Sequence, residues 1–356
     1  MLLFATNAVA TPGTAIVSSW RTNTTHFHPR FSVSSAVEGL GFPAFLPKEV
    51  ENIKDPSARK LASRIQRLQV TVGSSGDCIM SSCVKPLSST QSTPTTSPLV
   101  LLHGFDSSSS TVTGQQLTTM FVLLLLASPF GTLMEFLEKL PPCNVQTKRE
   151  HLYQLWKTYI RKPVILVGPS LGAAIAIDFA VQYPEAVEKL VLIDASVYVE
   201  GTGSMATLPK AVAYAGVSLL KSVMLRLFVN VLAFEKLPLS TSIDWMNIGR
   251  LHCMYDWWAD ATVNFMSSGG YDVACLIPKI NQKTLIIWGE DDKIISSKLG
   301  VRLHCELPNA IIRQIPNCGH IPHVEKPDSV ARLIKEFVQD QEDCSRKEAQ
   351  LVSSLQ

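Results

Sequence analysis

The chain has 356 residues, of which 46% are hydrophobic and 17% charged, with a formal net charge of +2. That is enough for one large domain, or for one carrying an inserted subdomain, and the near-balanced charge leaves no strong electrostatic case for nucleic acid. The eight cysteines (Cys78, Cys83, Cys143, Cys253, Cys275, Cys305, Cys318 and Cys344) form neither a C-x-x-C pair nor a zinc pattern, which predicts free thiols in a reducing compartment and no metal site.

From Met1 to Val37 there is no acidic residue; Ser and Thr are frequent, and Arg21 and Arg30 supply sparse positive charge. This composition predicts an organelle transit peptide over about the first 45 residues. A secretory signal fits worse, because the apolar start lacks a basic residue ahead of it and is interrupted by Thr6, Asn7, Thr11 and Pro12. Glu49 to Leu68 then reads as a basic helix, and Val70 to Gly73 and Cys78 to Val84 as the first two strands. Pro86 to Pro98 is a Ser/Thr/Pro-rich loop.

Pro98 to Leu102 reads as a short strand ending in His103-Gly104-Phe105-Asp106. Gly104 permits close backbone approach there, and His103 is read as holding the loop. Between Asp106 and Glu135 no charged residue occurs, and the stretch includes Met120-Phe121-Val122-Leu123-Leu124-Leu125-Leu126-Ala127. Pro129 and Gly131 interrupt it before roughly 20 apolar residues accumulate, so it is marginal as a membrane span.

Lys148 to Ile160 places Leu152, Leu155, Trp156 and Tyr159 on one helical stripe. Val164 to Ala180 follows as an apolar strand, a turn Gly168-Pro169-Ser170-Leu171-Gly172, and a small-residue helix. The turn matches G-x-S-x-G in the strand–turn–helix setting that a nucleophile elbow requires. Gly168 and Gly172 would let strand and helix cross closely, lifting the Ser170 hydroxyl above the sheet. The backbone N–H groups of Phe105 and Leu171 are the expected oxyanion donors. A serine that merely caps a buried helix is the plainer alternative.

Leu190 to Ile193 is the next strand, closing in Asp194. Alternating strands and helices predict an α/β fold with a mostly parallel sheet flanked by helices. The alternation stops from Val199 to about Lys279, where Ala211 to Phe234 reads as helical and apolar and Trp245, Trp257 and Trp258 cluster beyond it. This predicts a helical cap over 199–280, with core on either side (46–198 and 281–340) and a polar tail over 341–356. The cap's apolar character suggests an apolar or aromatic substrate, although any one of these residues serves equally well to pack cap on core.

Thr284 to Trp288 is another strand, followed by Gly289-Glu290-Asp291-Asp292; Ile311 to Ile315 is the last, followed by Asn317-Cys318-Gly319-His320. Ser170, Asp292 and His320 thus stand in serine–acid–histidine order. A serine hydroxyl needs a base, a histidine serves near neutral pH, and a carboxylate would orient it. Asp291 and Asp194 are rival acids and His323 is a rival base.

On these residues (His103-Gly104-Phe105, Gly168 to Gly172, Trp288 to Asp292, and Gly319-His320 with Glu325 and Pro327) the chain resembles α/β-hydrolase-fold proteins of the capped, serine-nucleophile kind, among them plant plastid members. The resemblance implies hydrolysis of a small carbonyl substrate through an acyl-enzyme, with water as second substrate and no cofactor. It also implies a plastid address, with mitochondrion or cytoplasm as alternatives. Relatives that open epoxides or remove halides use aspartate at the elbow, where this chain has Ser170. A small-molecule receptor with little turnover, or an acyltransferase, are the alternative functions; membrane association is not expected. The chain departs from the family over 107–137, where members carry a helix, a strand and an Asp/Gly/Ser-rich loop. An altered splice or reading frame, a membrane tether and a divergent buried helix–strand pair are the three readings of that segment. Under the first, the sheet lacks a well-matched strand beside the His103 loop.

Overall fold

Alternation along the central strands decides the architecture. In the computed structural model, which describes residues 41–72, 77–84, 97–104, 122–126, 145–199, 207–236, 238–256, 258–268 and 272–339, eight strands form one sheet. They are β1 (Gln66–Val72), β2 (Asp77–Val84), β3 (Leu99–Leu101), β4 (Val122–Leu126), β5 (Val164–Pro169), β6 (Val187–Ile193), β7 (Lys283–Gly289) and β8 (Ala310–Ile315). Their order is β1-β2-β4-β3-β5-β6-β7-β8. The pairs from β4 to β8 are parallel, and β2 runs antiparallel to both its neighbours.

Leu99, Leu101, Ile165, Val167, Val191, Ile193, Leu285 and Ile287 belong to one core cluster; Val100, Leu102, Val164, Leu166, Leu190, Leu192, Ile286 and Trp288 belong to the other. Successive side chains point to opposite faces, so a continuous apolar run feeds two cores at once, which is why these strands show no polar alternation. β8 at the edge has only its last residue buried.

Several elements differ from the sequence-based expectation. The single helix expected over Glu49 to Leu68 is a 3-10 turn (Lys48–Asn52), a short helix (Pro56–Ala62) and the start of β1. Asp55 caps that helix by accepting the Ala58 N–H at 2.6 Å, and Pro56 supplies its preset φ at the first position. The helix before the elbow runs Val145–Leu155, continues as a π-helical turn Trp156–Ile160, and stops at Arg161 with φ 60.

Among the described residues between β6 and β7 lie four helices, Lys210–Leu220, Val223–Ala233, Leu239–Arg250 and Trp258–Ser267, and the 3-10 segments Leu251–Met254 and Ala274–Lys279. The apolar stretch read as helical is a pair of helices, bent by 80°. Ser222 breaks it, because its hydroxyl caps the second helix by accepting the Leu225 N–H at 3.2 Å. Trp245 and Trp258 do not form one patch. Trp245 packs beside Phe234 in the main core, whereas Trp258 packs with Ala213, Val217 and Val263 in the insert's own cluster. Trp257 is outside the described residues. Asp244 ties the insert to the N-terminal turn by accepting the Lys54 N–H at 2.7 Å and the Asp55 N–H at 2.5 Å.

Residues 1–40 of the transit peptide expected over 1–45, residues 86–96 of the expected loop Pro86 to Pro98, the tail over 341–356 and most of 107–137 also lie outside the described residues. Within the last of these, Val122–Leu126 forms β4 between β2 and β3, where a gap was the concern. Leu124 pairs with Val84 on one side and Leu101 on the other. The Leu-rich run therefore supplies a strand, as in the divergent buried reading. Proline lacks the backbone donor an inner strand needs, so Leu124→Pro should cost about 1–3 kcal/mol and lower the urea midpoint. An unchanged midpoint would place this strand outside the cooperative sheet.

Candidate active site

β5 passes into the elbow helix (Gly172–Gln182) through Ser170, whose φ of 49 lies in the left-handed region. That conformation is costly for a side chain with a Cβ and persists only where the surroundings hold it. Here the Ser170 N–H donates to the Ile193 carbonyl at 2.8 Å, and the Ser170 carbonyl accepts the Ala173 and Ser196 N–H groups, each at 3.1 Å. The crossing needs two glycines: a Cβ on Gly168 would lie 2.7 Å from the Gly172 carbonyl oxygen, and one on Gly172 would lie 2.7 Å from the His103 carbonyl oxygen. His103 therefore bounds the elbow with its backbone, while its ring Nδ1 lies 2.7 Å from the Gly104 carbonyl. Leu171 sits directly before the helix, buried, and Phe105 lies outside the described residues.

Three strand ends bring the predicted acid, base and serine together. His320 Nε2 stands 3.0 Å from Ser170 Oγ, and His320 Nδ1 stands 2.8 Å from Asp292 Oδ2. The other Asp292 oxygen accepts the Ile294 and Ile295 N–H groups at 2.8 and 2.9 Å. Burial pushes the Asp292 carboxyl upward, but its bonds to His320 and to these two N–H groups prevail and hold it below the usual carboxylate range. An ionised carboxylate on one ring nitrogen leaves the other free to accept a hydroxyl proton.

Asp194, the rival acid at the end of β6, is also present. It is fully buried with φ 42, and its Oδ1 accepts the Gly289 N–H at 2.9 Å. One atom each of Asp194, Asp292 and His320 lie within 4.8 Å of one another, the one cluster of metal-ligand type among the described residues. Two of the three are already bonded to each other as acid and imidazole. Burial first, then the neighbouring Asp292, push the Asp194 carboxyl well above its ordinary value. Asp291 instead donates its N–H to the Cys318 carbonyl at 2.9 Å.

The rival base, His323, faces inward and is 6% exposed. Sequence reading quoted Glu325 without a role. Its carboxylate accepts the Gly319 N–H at 2.8 Å and the Glu235 and Lys236 N–H groups at 3.1 and 3.2 Å. With the His320 N–H donating to the Ala233 carbonyl at 2.8 Å, this fastens the insert to the histidine loop. The only sequence signal was an acidic residue six positions past Gly319, and its partners come from another part of the chain.

Desolvation, then the neighbouring His320, lower the His323 pKa from 6.5 to about 4. The unfolded chain therefore binds this proton first on acidification. The stability held by neutral His323 is whole above pH 6.5 and is lost as the pH falls toward 4. Buried His151, also lowered to about 4, acts in the same sense. The urea midpoint should fall across that window, and His323→Phe should flatten part of the fall; a midpoint independent of pH there would contradict the burial of both rings.

Comparison with known proteins agrees with this geometry. The chain is 52% identical over 316 residues to the alpha/beta hydrolase domain-containing protein VTE7 of Arabidopsis thaliana, covering 86% of this chain and 94% of that protein. It is 29% identical over 190 residues to a 2-hydroxy-6-oxo-6-phenylhexa-2,4-dienoate hydrolase of Burkholderia cepacia, spanning 49% of this chain and 62% of that enzyme. In fold it is similar to an esterase of Thermogutta terrifontis (TM-score 0.59, 18% identity, 77% of this chain and 98% of that one). It is likewise similar to a meta-cleavage product hydrolase of Pseudomonas fluorescens (TM-score 0.58, 17% identity, 78% and 99%). Residues 99–333, from β3 through the histidine loop, match the alpha/beta hydrolase family, and the chain belongs to that family.

Proposed function

We propose that this protein is a serine hydrolase that cleaves an ester or similar carbonyl substrate through an acyl-enzyme. The observation that carries the reading is the continuous path from Ser170 Oγ through the His320 ring to Asp292, at 3.0 and 2.8 Å. In the proposed reaction Ser170 Oγ attacks the carbonyl carbon as His320 Nε2 takes its proton. Asp292 balances the imidazolium, and the N–H groups of Leu171 and Phe105 receive the oxyanion. Each such donor would be worth roughly 10²–10³ in rate. The tetrahedral intermediate collapses as His320 returns the proton to the leaving group; water then repeats the sequence to free the acid. No step uses a cofactor. A relative named as a 2-hydroxy-6-oxo-6-phenylhexa-2,4-dienoate hydrolase supports the reaction class.

The variants separate the roles. Ser170→Ala and His320→Ala should each lower turnover of a p-nitrophenyl ester by roughly 10⁴–10⁶-fold, and the double variant should be little worse. Asp292→Asn should cost roughly 10⁴-fold, because the imidazole loses its oriented tautomer. Asp194→Asn should stay within about tenfold, since the amide oxygen can still accept the Gly289 N–H, and His323→Ala should be mild. Wild-type turnover by the Ser170→Ala protein would sink the assignment. Failure of folded wild-type protein to react with a fluorophosphonate probe would favour a binding protein instead.

The acid-free, Ser/Thr-rich N-terminus and the plant relative support import into plastids, with removal of roughly the first 35–50 residues. A fusion of residues 1–46 to a fluorescent protein should locate there. A purely cytosolic signal would refute the address, and a mitochondrial one would correct it.

A further inference from the structure

Helix Val223–Ala233 reverses the usual arrangement of a surface helix, in which polar residues face outward. Its two polar side chains face the protein. Arg226 is 6% exposed and donates from Nε to the Leu220 carbonyl at 2.6 Å and from its guanidinium to Cys253 Sγ at 2.9 Å. Asn230 donates to the Ser242 carbonyl at 2.8 Å. Its outward stripe, at i, i+4 and i+7, is Met224, Phe228 and Val231, exposed by 76%, 53% and 66%. The preceding helix, bent from it by 80°, adds exposed Val212 and Leu219. Single exposed apolar residues are ordinary, but a stripe of large ones marks a docking face.

Charge selects the occupant. From residue 201 to 234 the chain has no acidic residue, and with Arg226 turned inward the remaining charged side chains of this stretch are Lys210 and Lys221, both basic, while the neighbouring acids Asp260 and Glu235 bond to Tyr214 and Lys293. A second copy meeting this face through a two-fold contact would bring like charges together, whereas the headgroup surface of an anionic bilayer complements them. No single helix among the described residues is long and apolar enough to cross a membrane, so the chemistry is that of a helix lying in the interface.

We infer that this face docks the protein on an anionic lipid bilayer, with Met224, Phe228 and Val231 entering the boundary between headgroups and acyl chains. The helix ends at the candidate site: the Ala233 carbonyl accepts the His320 N–H at 2.8 Å. Docking therefore sets Ser170 and His320 beside the membrane, and the substrate is an acyl lipid drawn from it. That last step rests on the serine hydrolase reading; the docking itself does not.

The test is flotation of the full chain with phosphatidylcholine vesicles, with and without phosphatidylglycerol. The wild-type protein should float with the phosphatidylglycerol vesicles, and less so as salt is raised. The combined Met224→Glu, Phe228→Glu and Val231→Glu variant should bind about tenfold or more weakly, since withdrawing even one large side chain from lipid loses about that factor. Its thermal melt and its fluorophosphonate labelling in solution should match wild type, because these side chains already face water. Flotation unchanged in the variant, or none in folded wild type, would overturn the inference. So would a dimer that the same substitutions dissolve in a protein that does not float. Labelling without flotation would remove the docking face alone; flotation without labelling would keep it and remove the hydrolase reading.

Discussion

The close crossing of β5 and the elbow helix is the constraint on which the site depends. Ser170 occupies a left-handed conformation at φ 49, which costs on the order of 1–2 kcal/mol for a residue with a Cβ. Three backbone bonds hold it: its N–H to Ile193, and its carbonyl to Ala173 and Ser196. Two of these partners belong to β6 or follow directly from it, so the serine's placement is a property of the sheet. Gly168 and Gly172 remove the atoms that would force the elements apart, and the His103 carbonyl fills the space beside Gly172. The same contact that shapes the elbow therefore sets the position of the loop leaving β3.

Electrostatics then separates two carboxyl groups that chain position alone leaves equivalent. Asp194 and Asp292 stand at the ends of neighbouring strands, both buried and both near His320. The difference is in their donors. Asp292 takes two backbone N–H groups and the imidazole, whereas Asp194 takes one N–H, from Gly289. Two adjacent buried charges of one sign are costly, so the group with more donors is held below its ordinary value and the other is pushed well above it.

The insert is joined to this centre at a few backbone groups. Glu325 and the Ala233 carbonyl bind the turn after Val223–Ala233 to the histidine loop. A helix whose outer face is apolar is thus fastened at its inner end to the candidate base. Movement of that helix and the orientation of His320 cannot be independent.

The sequence by itself determined the α/β class, the strand runs from Pro98 onward, the elbow, and the order Ser170, Asp292, His320, because each is written in local spacing: apolar runs of strand length, glycines at a crossing, polar residues at strand ends. It also supplied the reason for Gly168 and Gly172, which the packing bears out. It misread Glu49 to Leu68 as a single helix, and it did not show that the helical stretch Ala211 to Phe234 divides, since Asp55 and Ser222 act as caps only where the chain has room to turn. The place of Val122–Leu126 was not legible, because an apolar run reads alike as buried strand or helix until its neighbours on both sides exist. Tertiary structure alone turned His323 inward, gave Glu325 its partners, and set Arg226 inside with Phe228 outside. Each of those outcomes depends on groups distant in sequence, and donors, burial and charge come into being only when strands and insert meet.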